Sequence, residues 1–154
     1  MSVAFRRESD EEHLEPKFEV PIPPGPNLVT RRGLALIGER VAALEIAVAA
    51  AADEEDRTSL RRQLRYWHTR QATAEVAAAP AGGVAGIGRR VTLRLNGAAR
   101  TIAIVGGDEA DPATGRIGFQ APLARAVIGA EVGERVAFGG VADAIEIVAV
   151  EEDD

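Results

Sequence analysis

The chain has 154 residues, a formal net charge of −6, a pI near 5.0 and no cysteine. This length allows one or two small domains, the missing cysteines exclude disulfides and Cys-ligated zinc, and the acidic balance argues against wrapping duplex DNA as the main task. No apolar run is long enough for a signal peptide or a membrane span, so a cytoplasmic protein is expected.

Residues 1–28 are predicted to form a flexible tail. Five of the eight prolines lie here, and the segment carries six acidic and three basic residues without any hydrophobic period. Such a segment buries too little apolar surface to offset the entropy lost when it is ordered. We therefore expect a solvated, partly extended spacer.

Residues 29–79 have the spacing of two helices. Thr30 is a candidate N-cap, and Ile37, Val41, Leu44 and Val48 follow at intervals of four, three and four. After the acidic stretch DEED at residues 53–56, the same spacing returns at Leu60, Leu64, Trp67, Gln71 and Ala74. Two matched seams joined by a short polar link predict an antiparallel coiled-coil hairpin, with arms of about 20 residues and roughly 30 Å.

The remaining residues are predicted to form an α+β domain. The proline and glycines of residues 80–86 end the second helix and form a linker before a domain at residues 87–154. Alternating apolar residues from Val91 indicate a strand, and Asn96-Gly97 indicates a hairpin turn to its partner. A short helix at residues 123–128 follows Pro122, and two more strands flank a Gly-Gly turn. A four- or five-stranded antiparallel sheet with one short helix is expected.

Charged residues of the hairpin allow two interpretations each. Asp53, Glu54, Glu55 and Asp56 at the turn can cap the second helix, or they can supply oxygen ligands to magnesium. Arg57, Arg61 and Arg65 follow at intervals of four, and no acid intervenes between Arg57 and Glu75. This basic stripe can be a solvated outer face or can bind phosphates.

Longer motifs resemble one known family. The run VGGDEADPATGRIGFQAPLARAVIGAEVGERV, residues 105–136, resembles the C-terminal domain of the bacterial GreA/GreB transcription factors in the order and spacing of its elements. LVTRRG at residues 28–33 is similar to the start of the GreB hairpin, and RQLRYW at residues 62–67 lies near its second-arm motif. The resemblance covers roughly residues 28–151. It implies an FKBP-like domain that binds RNA polymerase at the rim of the secondary channel.

The resemblance also implies roles for individual residues. Asp53 and Asp56, with Glu54 and Glu55 as alternatives, correspond to tip carboxylates that help hold magnesium only within the polymerase active site, where backtracked RNA is cleaved. The polymerase-binding residues it implies are Gln120, Ala121, Pro122, Leu123, Ala124 and Arg125, together with Asp108, Glu109 and Asp111 of the preceding acidic turn. The basic stripe is a candidate contact for the nascent RNA 3′ end. The chain itself is expected to be a monomer without its own cofactor and to perform no chemistry alone.

Two departures from the family pattern leave the activity open. Each arm is about ten to twelve residues shorter than in full-length Gre factors, which removes roughly 15–18 Å of reach. The tip reads Ala-Asp-Glu-Glu-Asp-Arg, where the family has Gly-Asp-x-x-Glu-Asn-Ala. The alternative to cleavage stimulation is therefore a non-cleaving regulator of the secondary channel that competes with full-length Gre factors or modulates initiation.

Two further alternatives belong to other classes of function. An FKBP-like domain can be a prolyl isomerase, but residues 84–151 contain only Phe119 and Phe138 as aromatic side chains, too few for the usual isomerase pocket. A regulator of nucleotide metabolism or stress, similar to short-hairpin relatives, would be distinguished by its binding partners.

Overall fold

The computed structural model of the chain describes residues 19–153, so most of the predicted tail lies outside the described residues. The described part divides into two compact units. Residues 19–25 and 37–73 form the helical unit, and residues 26–36 and 74–153 form the β unit. The boundary therefore falls within the first helix and does not coincide with either end of the predicted hairpin segment.

Two helices of 20 residues each confirm the predicted hairpin: α1 at Arg31–Ala50 and α2 at Glu54–Thr73. Within the helical unit they are antiparallel, because Arg57 at the start of α2 donates to the carbonyl of Ala51 just after α1, whereas the Arg40 guanidinium, earlier in α1, lies 5.2 Å from the ring centroid of Trp67, later in α2. Ile37 and Val41 are buried, whereas Leu44, Val48, Leu60, Leu64 and Trp67 are partly exposed. Such a seam fits a hairpin only two helices thick.

The end of the second seam differs from the prediction. Gln71 is exposed, and Ala74 lies beyond the end of α2. The position buried in this turn is instead Arg70, whose guanidinium lies 5.9 Å from the Tyr66 ring centroid. Its long apolar stem and its planar charged head allow it to pack where a smaller polar side chain would leave space.

The β unit contains a five-stranded sheet. Its strands are β3 at Arg89–Leu95, β4 at Ala98–Val105, β5 at Arg116–Gly118, β6 at Arg135–Phe138 and β7 at Val141–Glu152, following a small parallel pair of β1 at Leu28–Val29 and β2 at Glu75–Val76. The order in the sheet is β5-β4-β3-β7-β6. The turn at Asn96 and Gly97 has φ values of 52° and 84°, as the hairpin signal requires.

One strand differs from the antiparallel prediction. β5 pairs parallel to β4, with Ala103 opposite Arg116 and Val105 opposite Gly118. Two short 3₁₀ turns, Gly107–Glu109 and Pro112–Thr114, bring the chain back so that β5 runs beside the C-terminal part of β4, Ala103–Val105. The connection makes a crossover that local turn signals do not reveal.

The core lies between one sheet face and the single short helix, α3 at Pro122–Val127. The alternation predicted for β3 is present, because Val91 and Leu93 are fully buried. The largest buried residues contributed by the other strands are Ile102, Ile104, Ile145 and Ile147. α3 adds Leu123, Ala124 and Val127. This packing sets which side chains of α3 can reach solvent.

Residues 80–86, predicted as a linker, are partly integrated into the β unit. Ala85 is 1% exposed and belongs to the core. Its backbone N–H donates to the Ala130 carbonyl at 2.8 Å, and its carbonyl accepts from Gly129 N at 2.9 Å. Glycine-rich composition suggested a loop, but a small apolar residue here fills space beside the end of α3. Among the described residues, no helix combines the length and apolar character needed to span a membrane.

Candidate functional site

The segment from Gln120 to Arg125 lies at the start of α3. Pro122 occupies the first helical turn, and Arg125 N donates to the Ala121 carbonyl at 2.9 Å. Gln120, Pro122 and Arg125 are exposed and Ala121 is partly exposed. Because a helix turns every 3.6 residues, the exposed side chains of residues 122 and 125 lie on one side, away from the core.

Leu123 and Ala124 do not share that surface. Their exposed fractions are 8% and 0%, and both belong to the core. Both were predicted among the binding residues, and the structure assigns them to packing of α3 on the sheet. Their burial leaves Gln120, Pro122 and Arg125 as the surface of this segment. Within residues 19–153, no ion pair involves Arg125.

Sequence reasoning missed an exposed apolar residue beside this segment. Ile128 directly follows α3 and is 42% exposed, although it was predicted to lie within the helix. Val132, four residues later, is also exposed. The period of the short helix could not distinguish Ile128 from the core residues, because six helical residues define less than two turns.

The acidic turn separates into exposed and buried members. Asp111 is exposed and Asp108 is partly exposed, whereas Glu109 is buried. Glu109 Oε2 accepts hydrogen bonds from the backbone N–H groups of Thr30 and Gly106, each at 3.2 Å. Its Oε1 accepts from Thr30 Oγ1 at 2.7 Å. Glu109 was predicted to face a partner together with Asp108 and Asp111, but its carboxylate points into the β unit.

Glu109 supports the first turn of α1. Thr30 Oγ1 accepts from Gly33 N at 2.9 Å, which confirms Thr30 as the N-cap. Arg32 Nη1 lies 3.8 Å from Glu109 Oε1. A carboxylate at a helix N-terminus is favoured by the helix dipole and satisfies donors that have no partner inside the helix. The acidic turn therefore anchors α1 as well as presenting acids to solvent.

The hairpin turn carries four exposed acids. Asp53 Oδ1 accepts from Glu55 N at 3.2 Å and so acts at the N-terminus of α2. Glu54 Oε1 lies 2.5 Å from Arg57 Nη1. Glu55 and Asp56 form no ion pair within the described part of the chain. Across residues 19–153, no three His, Asp or Glu side chains are arranged to hold a metal ion.

The three arginines of the basic stripe have different surroundings. Arg57 closes the hairpin turn, because it binds Glu54 and its Nη2 donates to the Ala51 carbonyl at 2.5 Å. Arg61 Nη1 lies 3.9 Å from Glu54 Oε2 and remains about half exposed. Arg65 binds Glu19 in a bidentate pair, with Nε–Oε1 and Nη2–Oε2 distances of 2.8 and 2.7 Å.

The Glu19–Arg65 pair was not predictable from the sequence. The two residues are separated by 46 positions, and Glu19 lies in the segment predicted to be a spacer. The hydrogen bond from Arg65 holds the pKa of the Glu19 carboxyl below its usual value, and the charge of Arg62 acts in the same direction. Glu19 therefore remains an anion at neutral pH.

The family model "Transcription elongation factor, GreA/GreB, C-term" matches residues 79–152. The chain is also similar to curated proteins called transcription elongation factor GreA. That of Leuconostoc mesenteroides is 42% identical over 69 residues, which are 42% of this chain and 43% of the relative. That of Thermomicrobium roseum is 42% identical over 50 residues, 32% of each chain. The match thus spans less than half the length of these relatives.

Solved structures of similar proteins include two with matches along most of the chain. GreA factor homolog 1 (Gfh1) of Thermus thermophilus is 15% identical with a TM-score of 0.40, and the match covers 82% of this chain and 99% of that protein. A transcription elongation factor GreA/GreB from Nitrosomonas europaea is 18% identical with a TM-score of 0.39, over 83% of this chain and 99% of the other.

Proposed function

We propose that this chain is a member of the GreA/GreB transcription elongation factor family that binds RNA polymerase at the secondary channel and regulates transcription elongation; the family match over residues 79–152 supports the proposal. The observation that carries the proposal is the family match over a β unit whose α3 presents Pro122 and Arg125 to solvent. Arg125, which forms no ion pair with the residues that the structure describes, and the apolar side chain of Ile128 suit a partner surface that combines an acid with an apolar contact.

The polymerase-binding prediction is tested by the double variant Pro122→Ala/Arg125→Glu. We expect its affinity for core RNA polymerase to fall at least about tenfold, because a reversed charge meets an acidic partner and the rigid start of α3 is lost. Affinity is measured with labelled protein titrated by core enzyme at low salt. Arg100→Glu is the matched control, since Arg100 is an exposed arginine of the same β unit on β4.

Two results would contradict the proposal. One is wild-type protein without affinity for core polymerase at low salt. The other is an equal loss of affinity in the Arg100→Glu control, because the effect would then report net charge alone. Circular dichroism of each variant checks that the β unit remains folded, as expected for changes at exposed side chains.

The hairpin is proposed to enter the channel and occupy it, with little stimulation of transcript cleavage. The observation in favour is the length of α1 and α2, 20 residues each, which gives about 30 Å per arm. A carboxylate that stops short of the reacting atoms does not contribute to their chemistry. Bound magnesium of the polymerase would supply the charge stabilisation for cleavage, and Glu55 and Asp56, both exposed and free of ion pairs in the described residues, are its candidate ligands.

Cleavage is tested on backtracked transcription complexes with wild type and Asp53→Ala/Asp56→Ala. We expect slow, factor-independent release of short RNA in both cases, together with competition by the wild type against a full-length Gre factor. The double variant should keep polymerase affinity within about twofold, since both residues are exposed. Rapid dinucleotide release by the wild type that disappears in the double variant would instead establish cleavage stimulation through these carboxylates.

The arginines of α2 that remain accessible are proposed to face RNA in the channel. Arg61 and Arg65 lie one helical turn apart, and each is about half exposed. Guanidinium groups spaced along one helix face can bind successive phosphates through charge-assisted hydrogen bonds. Arg57 is excluded from this set because its side chain is only 28% exposed and closes the hairpin turn through Glu54 and the Ala51 carbonyl.

A further inference from the structure

The helical unit contains an ion pair that the proposed function does not use. Glu19, in the segment before α1, places both carboxylate oxygens on Arg65 near the middle of α2. Nε and Nη2 of the guanidinium both donate, which is the side-on geometry that a phosphate group would also adopt. The pair therefore occupies the donors through which Arg65 would bind an RNA phosphate.

The positive charges of α2 around Arg65 favour the binding of an anion at its guanidinium. α2 contains no acidic residue after Asp56, whereas five arginines follow: Arg57, Arg61, Arg62, Arg65 and Arg70. Glu54 lies near Arg57 and Arg61 at the start of the helix, and Glu19 supplies the carboxylate that binds Arg65 further along.

We propose that Glu19 competes with RNA for Arg65. Its carboxylate occupies the Arg65 guanidinium, on the helix face that Arg61 and Arg65 share, until a nucleic-acid phosphate displaces it. The occupant is a carboxylate of the chain itself, and the ligand it competes with is single-stranded RNA. This inference rests on the part of the proposed function that assigns Arg61 and Arg65 to RNA. The pair is exposed on both sides, with side-chain exposures of 55% and 60%, so displacement requires no opening of a core.

The size of the effect follows from the chemistry of exposed ion pairs. Such pairs are weak, so removing Glu19 is expected to raise RNA affinity only about two- to fivefold. Releasing Arg65 also adds about one phosphate contact. The logarithm of affinity should therefore fall more steeply with the logarithm of salt concentration, by about 0.7 in slope.

The experiment measures binding of a labelled single-stranded RNA of about twelve nucleotides to the full chain by fluorescence anisotropy across a salt series. Glu19→Gln is compared with the wild type, and Glu151→Gln is the matched control because it removes the same charge from an exposed position in the β unit. The pair of variants Arg65→Gln and Glu19→Gln/Arg65→Gln then asks whether the effect of Glu19 depends on Arg65.

We expect Glu19→Gln to bind RNA more tightly than the wild type and with a steeper dependence on salt, whereas Glu151→Gln should not. The gain in affinity from Glu19→Gln should be smaller when it is measured in the Arg65→Gln background. Equal affinities of Glu19→Gln and wild type would overturn the proposal, as would an equal gain in Glu151→Gln. Absence of RNA binding by every variant would also overturn it, because there would be nothing to mask. None of these outcomes bears on polymerase affinity through Pro122 and Arg125, which is measured separately.

Discussion

Glu109→Ala is expected to lower the free energy of unfolding by about 3 kcal/mol. The substitution removes the acceptor for the backbone N–H groups of Thr30 and Gly106 and for the Thr30 hydroxyl. The Glu109 side chain is 2% exposed, so water cannot replace the carboxylate without opening the structure. Donors left without partners in a buried site account for most of the loss.

Urea or thermal denaturation followed by circular dichroism measures this change. Asp111→Ala is the matched control, since Asp111 is an acid of the same turn that is exposed and makes no side-chain cap bond. We expect the control to change stability by no more than about 0.5 kcal/mol. The loss of stability in Glu109→Gln should lie between those of Glu109→Ala and Asp111→Ala, because an amide keeps one acceptor oxygen but directs an NH₂ group at existing donors. Equal stability of Glu109→Ala and Asp111→Ala would contradict a structural role for Glu109.

Gly33→Ala is expected to destabilise the chain by about 2 kcal/mol, although the same change in an ordinary helix is stabilising by about 1 kcal/mol. A Cβ atom at residue 33 would lie 2.2 Å from Glu109 Oε2 and 2.4 Å from its Cδ. A free glutamate could move aside at little cost. This one cannot, because moving its carboxylate breaks the bonds to Thr30 and Gly106.

The sign of the Gly33→Ala effect should reverse when Glu109 is absent. In a Glu109→Ala background the obstructing atoms are gone, so the alanine should stabilise the helix by about 1 kcal/mol. Gly38→Ala is the control in the same helix, because its added Cβ would meet Gln71 Nε2 at an ordinary 3.7 Å. It should be stabilising in both backgrounds. Destabilisation by Gly33→Ala that persists without Glu109 would show that another contact excludes the side chain.

Local patterns in the sequence were sufficient for most elements of the fold. The seam beginning at Ile37 predicted a helix of the observed length, and the alternation from Val91 predicted β3 with its correct buried face. Asn96-Gly97 predicted the turn between β3 and β4, and Pro122 predicted the start of α3. These features depend on residues within a few positions of one another, where dihedral preferences and side-chain periodicity act directly.

The candidate site was only partly predictable from the same patterns. The motif of residues 120–125 identified the segment, but which of its side chains reach solvent depends on how α3 packs against the sheet. Pro122 and Arg125 are exposed, whereas Leu123 and Ala124 complete the core. A short helix has too few turns to define its buried face by itself, so the position of the sheet determines it.

Sequence alone determined the order and type of the three helices and of β3, β4, β6 and β7, together with the acidic hairpin turn and the arginines that follow it. Tertiary structure alone decided that Glu109 caps α1 across 79 positions, that β5 pairs parallel to β4 and that Glu19 binds Arg65 across 46. The physical reason is that local structure follows from the preferences of neighbouring residues. A contact between distant residues forms only when the whole chain has folded, and no local sequence pattern identifies which residues will meet.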